Sequence, residues 1–219
     1  MSKKKSKTAK KKAGKLKKIV ATGAAAATLG LGFWASKAVY SVKEVVDGDT
    51  FITTENQYVR LDSVDAPELE YCLGEEAKEE LEKLVLNKKV FIKVSYLNGM
   101  RLVASVYTSQ GDVGAKMLSK GLATFADKGH QKQSTLLKIS QEAREKKIGV
   151  YSATCTQMEN PINPSCDIKG NIRNGVWYYR YPTCTNYKNT QVQLYLGEDW
   201  FCTEAEAKKA GYIKAPDCP

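Results

Sequence analysis

Near its beginning the chain carries VDGDT at residues 46–50 and VRLDSVDAPE at residues 59–68. These segments place carboxylates and an arginine among strand-forming residues, which a purely structural hairpin has little reason to do. Taken alone, an Asp-Gly pair is simply a turn signal. The combination is more informative, and the candidates for chemistry are Asp47, Asp49, Arg60, Asp65 and Glu68.

The two segments lie within a run of predicted strands and helices. A helix is predicted at residues 75–86, because its apolar positions recur at spacings of three and four. Two further helices are predicted at residues 113–120, ended by Gly121, and at residues 133–147. Strands are predicted at residues 38–46, 50–54, 57–64, 90–94 and 100–108, with a tight connection at Glu55-Asn56.

The second half of the chain has a different composition. Residues 153–165 contain Asn-Pro pairs and little apolar periodicity, which is typical of a linker. Residues 166–219 hold four of the six cysteines and many aromatics, which indicates a small module that needs cross-links for stability. Within it, Thr203 and Glu206 form a capping-box pattern for a helix that Gly211 would end.

The amino terminus reads as an export signal. Residues 1–18 contain ten lysines and no acid, so the rest of the chain is balanced, with 24 basic and 24 acidic residues. Residues 19–36 are uncharged and are followed by Lys37-Ala38, which allows cleavage after Ala38 or retention as a membrane anchor. A basic tail on a cytosolic protein would leave the apolar run exposed and is disfavoured. We therefore expect an extracytoplasmic protein whose residues 1–38 contact the membrane during export or as an anchor.

The cysteines favour disulfides over metal binding. Their number is even, six, and they follow the export signal. There is no Cys-x-x-Cys pair, and the single histidine is His130, so the common zinc spacings are absent.

Carboxylates from separated segments are what a hard divalent cation such as calcium needs. Asp49 and Asp65 can supply two of its oxygen ligands. An EF-hand fails here, because the twelfth position of such a loop would be Tyr58 rather than glutamate. The ligands must therefore converge through the fold.

Two arginines and a glutamate supply the other groups that hydrolysis of a phosphodiester requires. Arg60 and Arg101 lie on predicted strands, and their guanidinium groups match the oxygens of a phosphate. Taken alone, each arginine is better explained by an ion pair at the surface. Glu68 is placed to orient or deprotonate an attacking water. In an unbroken strand Arg60 and Asp65 would face opposite sides, so the strand must break or bulge before Asp65. With one histidine, hydrolases with a serine or cysteine nucleophile are disfavoured.

Five segments occur in a specific order: DGDT at 47–50, VRL at 59–61, VDAPE at 64–68, RLVASVY at 101–107 and EAR at 142–144 to YS at 151–152. With these segments the sequence resembles the staphylococcal nuclease (thermonuclease) family over residues 42–152. The resemblance implies a five-stranded OB-fold β-barrel with three helices, and calcium-dependent endonucleolytic hydrolysis of DNA and RNA. It also implies Asp49, Asp65 and the Ala66 carbonyl as calcium ligands with Asp47 nearby, Arg60 and Arg101 on the phosphate, and Glu68 as the base that activates water.

The chain departs from that family at two positions. Asn98-Gly99-Met100 and Asp127 stand where the family commonly has tyrosines that help to hold the terminal phosphate or the base. The tail resembles a cysteine-containing module often appended to bacterial secreted nucleases, with Arg180 where that module often has histidine. Cys72 with Cys155 is the preferred pair, because both would lie at the edge of the barrel that the resemblance implies. Three connectivities remain open for the four cysteines of the tail.

Together these observations predict an α+β fold with an amino-terminal signal or anchor at 1–38, a nuclease-like domain at 39–152, a linker at 153–165 and a small disulfide-rich module at 166–219. We expect a monomeric, exported, calcium-dependent nuclease acting on DNA or RNA. The alternative is a non-catalytic protein that binds nucleic acid or the cell envelope through the same fold. Such a binder has no reason to keep the acidic and basic site residues together.

Overall fold

A computed structural model describes residues 38–126 and 133–219. The predictions for the leader up to Lys37, the departure at Asp127 and His130 lie outside these residues. None of the helices within residues 38–126 and 133–219 has the length and apolar composition that a membrane span requires.

Five strands in the first half close into a ring. The strands of this half are β1 (Ala38–Val45), β2 (Thr50–Thr53), β3 (Tyr58–Leu61), β4 (Val64–Asp65), β5 (Lys89–Asn98), β6 (Arg101–Thr108), β7 (Gly111–Asp112) and β8 (Thr124–Phe125). The main sheet has the order β3-β2-β1-β5-β6-β7, and β3 pairs in addition with β6 in parallel. This extra pairing closes the sheet, so β1, β2, β3, β5 and β6 surround one interior.

The helices agree with the sequence-based boundaries to within two residues. They are α1 (Gly74–Val85), α2 (Val113–Ser119), α3 (Gln133–Glu145) and, in the tail, α4 (Glu204–Lys209). Asp112 caps α2 by accepting a hydrogen bond from the Ala115 N–H at 3.0 Å. The capping box on α4 is confirmed, since Thr203 accepts from the Glu206 N–H while the Glu206 side chain accepts from the Thr203 N–H.

The main hydrophobic core fills the ring and continues under the first two helices. Alternate residues of the strands point inward, while α1 contributes the apolar stripe that its spacing predicts. The fully buried members include Phe51, Val59, Leu81, Val90 and Met117. The mixed α+β class with five ring strands is therefore confirmed.

The second half contains short strands around a second small core of Ile168, Tyr179, Phe201, Ala207 and Tyr212. The strands of this half are β9 (Thr156–Gln157), β10 (Ile168–Arg173), β11 (Val176–Arg180), β12 (Val192–Gln193), β13 (Trp200–Phe201) and β14 (Ile213–Lys214). The main sheet here has the order β13-β10-β11-β14. A short strand pair, β9 with β12, places a strand inside the segment expected to be a linker. The division at 153–165 remains a prediction.

All six cysteines form disulfides. The pair Cys72–Cys155 is confirmed. In the tail the structure selects Cys166–Cys202 and Cys184–Cys218 from the three possible connectivities. Three disulfides indicate an oxidising environment.

Candidate active site

The connection between β1 and β2 presents the first two carboxylates. Its turn is closed by the Val46 N–H, which donates to the Thr50 carbonyl at 2.9 Å. The Asp49 N–H donates to Asp47 Oδ1 at 3.0 Å. Asp49 is only 2% exposed. The turn therefore buries one carboxylate and keeps the second, half-buried one beside it.

Arg60 on β3 joins this turn to the fourth strand. Its Nη1 donates to Asp49 Oδ1 at 2.7 Å, and its Nη2 contacts Asp65 Oδ1. One guanidinium thus contacts both carboxylates that are predicted from the sequence to be metal ligands. The two carboxylates lie within the span of that single group.

Arg60 and Asp65 meet because the strand breaks between them. β3 ends at Leu61, and Ser63 adopts a left-handed conformation with φ of 62° before β4 begins. This reversal changes the side to which the following residues point. The break that the odd spacing required is confirmed.

Asp49 has an environment that resists its negative charge while supplying hydrogen bonds. Burial raises the pKa of its carboxyl to about 7, and the neighbouring Asp47 acts in the same direction, whereas Arg60 and the hydrogen bonds lower it. These bonds come from the Thr50 hydroxyl at 2.8 Å and from the Ala66 N–H at 3.1 Å. A cation in addition to Arg60 would compensate the negative charge of the Asp47 and Asp49 carboxylates. Their oxygen ligands therefore fit a hard metal ion.

Side chains alone do not complete such a metal site. In the ranges 38–126 and 133–219, no three His, Cys, Asp or Glu side chains are grouped so that they could hold an ion. Asp49 and Asp65 would need further oxygens from backbone carbonyls, such as that of Ala66, or from water. Calcium accepts such mixed ligands.

Glu68 lies just beyond this cluster, and its side chain is exposed. Its backbone is held firmly: its carbonyl accepts a hydrogen bond from the Tyr71 N–H at 3.0 Å. A Cβ on Gly74 would lie 2.0 Å from the same carbonyl oxygen, so the start of α1 packs directly on Glu68. The glutamate is fixed at its base and free to reach solvent at its tip.

Arg101 is exposed at the start of β6. In the pairing of β3 with β6, Tyr58 lies opposite Arg101 and Arg60 lies opposite Val103. Arg101 is therefore two residues before the partner of Arg60 and on the same face of the sheet. Within the described residues, neither Arg101 nor Glu68 forms an ion pair. The structure therefore unites Asp47, Asp49, Arg60, Asp65 and Ala66 by direct contacts and leaves these two open to solvent.

Sequence reasoning missed three supporting residues. Thr50 donates to Asp49, and Ser63 provides the break before Asp65. Gly48 is the third: a Cβ there would lie 2.6 Å from the Cβ atoms of both Ala66 and Ala77. The position of Gly48 between two aspartates is the available signal, but by itself it predicts only a turn.

The sequence also matches known proteins. Residues 58–153 match the family described as "Staphylococcal nuclease homologue". An "Uncharacterized endonuclease" of Haemophilus influenzae is 32% identical over 132 residues, covering 57% of this chain and 69% of that protein. The chain belongs to the staphylococcal nuclease family.

Two further relatives are matched over a smaller share of their length. The "Staphylococcal-like nuclease CAN1" of Arabidopsis thaliana is 34% identical over 108 residues, which cover 48% of this chain and 31% of that protein. The "Probable endonuclease LCL3" of Verticillium alfalfae is 27% identical over 168 residues, covering 65% of this chain and 58% of that protein. The chain thus spans less than two thirds of the length of these two relatives.

Proposed function

We propose that this chain is a calcium-dependent extracytoplasmic nuclease that hydrolyses phosphodiester bonds of DNA, RNA or both on an OB-fold barrel. The observation that carries the proposal is the single Arg60 guanidinium in contact with the carboxylates of Asp49 and Asp65. The endonuclease names of the relatives support the same reaction class.

Each site residue has a role in this proposal. Asp49, Asp65 and the Ala66 carbonyl would hold calcium, with Asp47 nearby. When bound, the ion supplies positive charge against the phosphate oxygens. Arg60 and Arg101 bind those oxygens and stabilise the charge that develops as water attacks. They also orient the phosphodiester relative to Glu68.

Glu68 is the general base. A general base must be able to reach the water from which it takes a proton. Glu68 is exposed and its backbone is anchored against Gly74 and Tyr71, so its carboxylate can meet solvent at the rim of the cluster. It accepts a proton from the water that attacks phosphorus, while the bond from phosphorus to the leaving nucleoside oxygen breaks and that oxygen takes up a proton from solvent.

Arg60 would exchange a carboxylate partner for a phosphate when substrate binds. Its two terminal nitrogens are engaged by carboxylates in this structure. A phosphate offers the same fork of two oxygens and would replace one of these partners. The loss of a carboxylate contact leaves negative charge for a cation to compensate, so cation and phosphate binding should favour each other.

The test is cleavage of single-stranded DNA by the full-length protein in calcium and in excess chelator. We expect cleavage in calcium and none in excess chelator. Glu68→Gln should lower turnover by roughly 100-fold or more while calcium binding is nearly unchanged. Glu70→Gln is a matched control, since Glu70 is also exposed and lies two residues away. Its turnover should equal that of the wild type.

Two results would count against this assignment. Tight DNA binding without calcium-dependent cleavage would favour the alternative, a non-catalytic protein that binds nucleic acid or the cell envelope. Equal losses of turnover and calcium affinity in Glu68→Gln would make Glu68 a ligand rather than a base.

The three disulfides support an extracytoplasmic location. Contact of residues 1–38 with the membrane, and a monomeric state, remain parts of the proposal. Fractionation of expressing cells tests the first, and light scattering of the purified protein tests the second. Recovery of the protein from the cytoplasm with free thiols would contradict the location.

A further inference from the structure

One outer face of the ring carries both arginines and an exposed tyrosine. On β3, Val59 and Leu61 belong to the core inside the ring. Side chains alternate along a strand, so Tyr58 and Arg60 point to the opposite, outer face. Tyr58 is 48% exposed there.

The pairing of β3 with β6 sets the neighbours of this tyrosine. Tyr58 pairs with Arg101, and Arg60 pairs with Val103, in the parallel register. Ala104 belongs to the core, so Val103 and Arg101 share the outer face with their partners. The tyrosine therefore lies directly beside one arginine and two residues along the strand from the other.

These relationships give approximate spacings. Neighbouring strands lie about 5 Å apart, which is the separation of the backbones that carry Tyr58 and Arg101. Two residues along a strand cover about 7 Å, which separates Tyr58 from Arg60. A phosphate held by the two arginines would thus have an aromatic ring within reach of the base of an adjoining nucleotide.

An exposed apolar side chain precedes Arg101 in the chain. It is Met100, at the tip of the β5–β6 hairpin, which is 93% exposed. Two cationic groups beside an exposed ring and a flexible thioether match a ligand that has both an anionic and a flat apolar part. A nucleotide in a single strand has this combination, since its phosphate is charged and its base has a π-face.

We propose that Tyr58 is a stacking site for the nucleobase next to the scissile phosphate. The inference rests on the proposed nuclease function and names the side chain that would hold the base. The ring can be reached only by a base that has left its duplex neighbours, because both faces of a stacked base are covered. Stacking on Tyr58 is tolerant of base identity and holds the strand while Arg60 and Arg101 contact the phosphate.

The experiment measures binding of a labelled single-stranded oligonucleotide to Glu68→Gln protein in calcium, so that cleavage does not interfere. Tyr58→Thr removes the ring and keeps a β-branched strand former, and Tyr58→Phe keeps the ring. We expect the Thr variant to bind roughly 5- to 150-fold more weakly and the Phe variant to bind like its parent. With an oligonucleotide of abasic residues, the parent and the Thr variant should bind equally.

Trp177→Ala is the matched control, because Trp177 is a comparably exposed aromatic, 38%, on the β10–β11 hairpin of the tail. It should bind both oligonucleotides like the parent. Equal binding of the normal oligonucleotide by the Thr variant and the parent would overturn the stacking site, and so would an equal loss on the abasic strand. Cleavage by the wild-type protein is scored separately, so a failed stacking site and a failed nuclease assignment give different results.

Discussion

Nη1 of Arg60 lies 2.7 Å from Oδ1 of Asp49, although the two residues are eleven positions apart in sequence. The carboxylate is almost completely buried, and the guanidinium side chain is 25% exposed. The arginine therefore bridges the interior of the site and the solvent from which a substrate arrives.

Arg60→Lys should lower turnover by about 100-fold or more, because a single ammonium cannot contact two acceptors in the fork geometry of a guanidinium. Single-turnover cleavage at saturating DNA measures the effect. Arg173→Lys, at an exposed arginine of β10, is the control and should cleave like the wild type. Full activity of Arg60→Lys would show that charge alone suffices at this position.

Gly48→Ala should destabilise the fold by about 1–3 kcal/mol, because the new methyl group would lie 2.6 Å from the Cβ atoms of Ala66 and Ala77. Displacement of Ala66 also disturbs its hydrogen bond to Asp49, so activity should fall as well. Urea denaturation and cleavage assays measure the two effects.

Gly175→Ala is a comparison for that substitution. Gly175 has φ of 76°, and a Cβ added there would have nothing within 4 Å, so this variant reports backbone strain without a clash. It should leave cleavage unchanged. Wild-type activity in a correctly folded Gly48→Ala protein would contradict the proposed role of the close contact.

Loss of the Cys72–Cys155 disulfide in Cys72→Ser/Cys155→Ser should reduce stability by about 4 kcal/mol, since the bond joins residues with a sequence separation of 83. It should also lower turnover. The bond holds the segment that follows Glu68, where Tyr71 packs so closely on Gly197 that a Cβ there would lie 2.5 Å from the ring. Thermal melting and turnover at a temperature where the variant is folded are the measurements.

Cys184→Ser/Cys218→Ser provides the contrast for this bond. That pair closes a loop within the tail, with a sequence separation of 34. It should weaken the tail and leave turnover near that of the wild type. If both double variants lost turnover equally, the effect would come from general destabilisation and not from support of Glu68.

Glu204 should make the tail sensitive to acid. A hydrogen bond from Lys208, followed by bonds from Tyr179 and Tyr181, lowers the pKa of its carboxyl from 4.5 to about 2. Because the pKa is lower in the folded state, this stabilisation is complete above pH 4.5 and is lost as the pH falls toward 2. Tryptophan-detected urea unfolding at about pH 6, 4.5 and 3 measures it.

Glu204→Gln removes the titrating group at this position. The variant should be less stable than the wild type at about pH 6, and the difference should narrow as the pH falls to about 3. Glu206 provides no such control, because it caps α4. A difference that is independent of pH would mean that packing, and not ionisation, accounts for the contribution of Glu204.

Much of the local structure could be predicted from the sequence. The apolar spacing in α1 and the capping box before α4 involve contacts within a few residues, so their patterns are visible along the chain. The five ring strands are also predicted, although the sequence pattern extends β3 without interruption to Val64. The strand ends at Leu61 because Ser63 takes a left-handed conformation that no strand propensity signals.

By itself, the sequence determined which chemical groups are present: the carboxylates, the arginines and an even set of cysteines. Tertiary structure alone decided that Arg60 contacts both Asp49 and Asp65, and it chose the disulfide pairing in the tail. Tertiary structure also decided the burial that raises the pKa of Asp49. The physical reason is that these contacts join segments far apart in sequence, and their geometry depends on how the ring closes and on how its core packs.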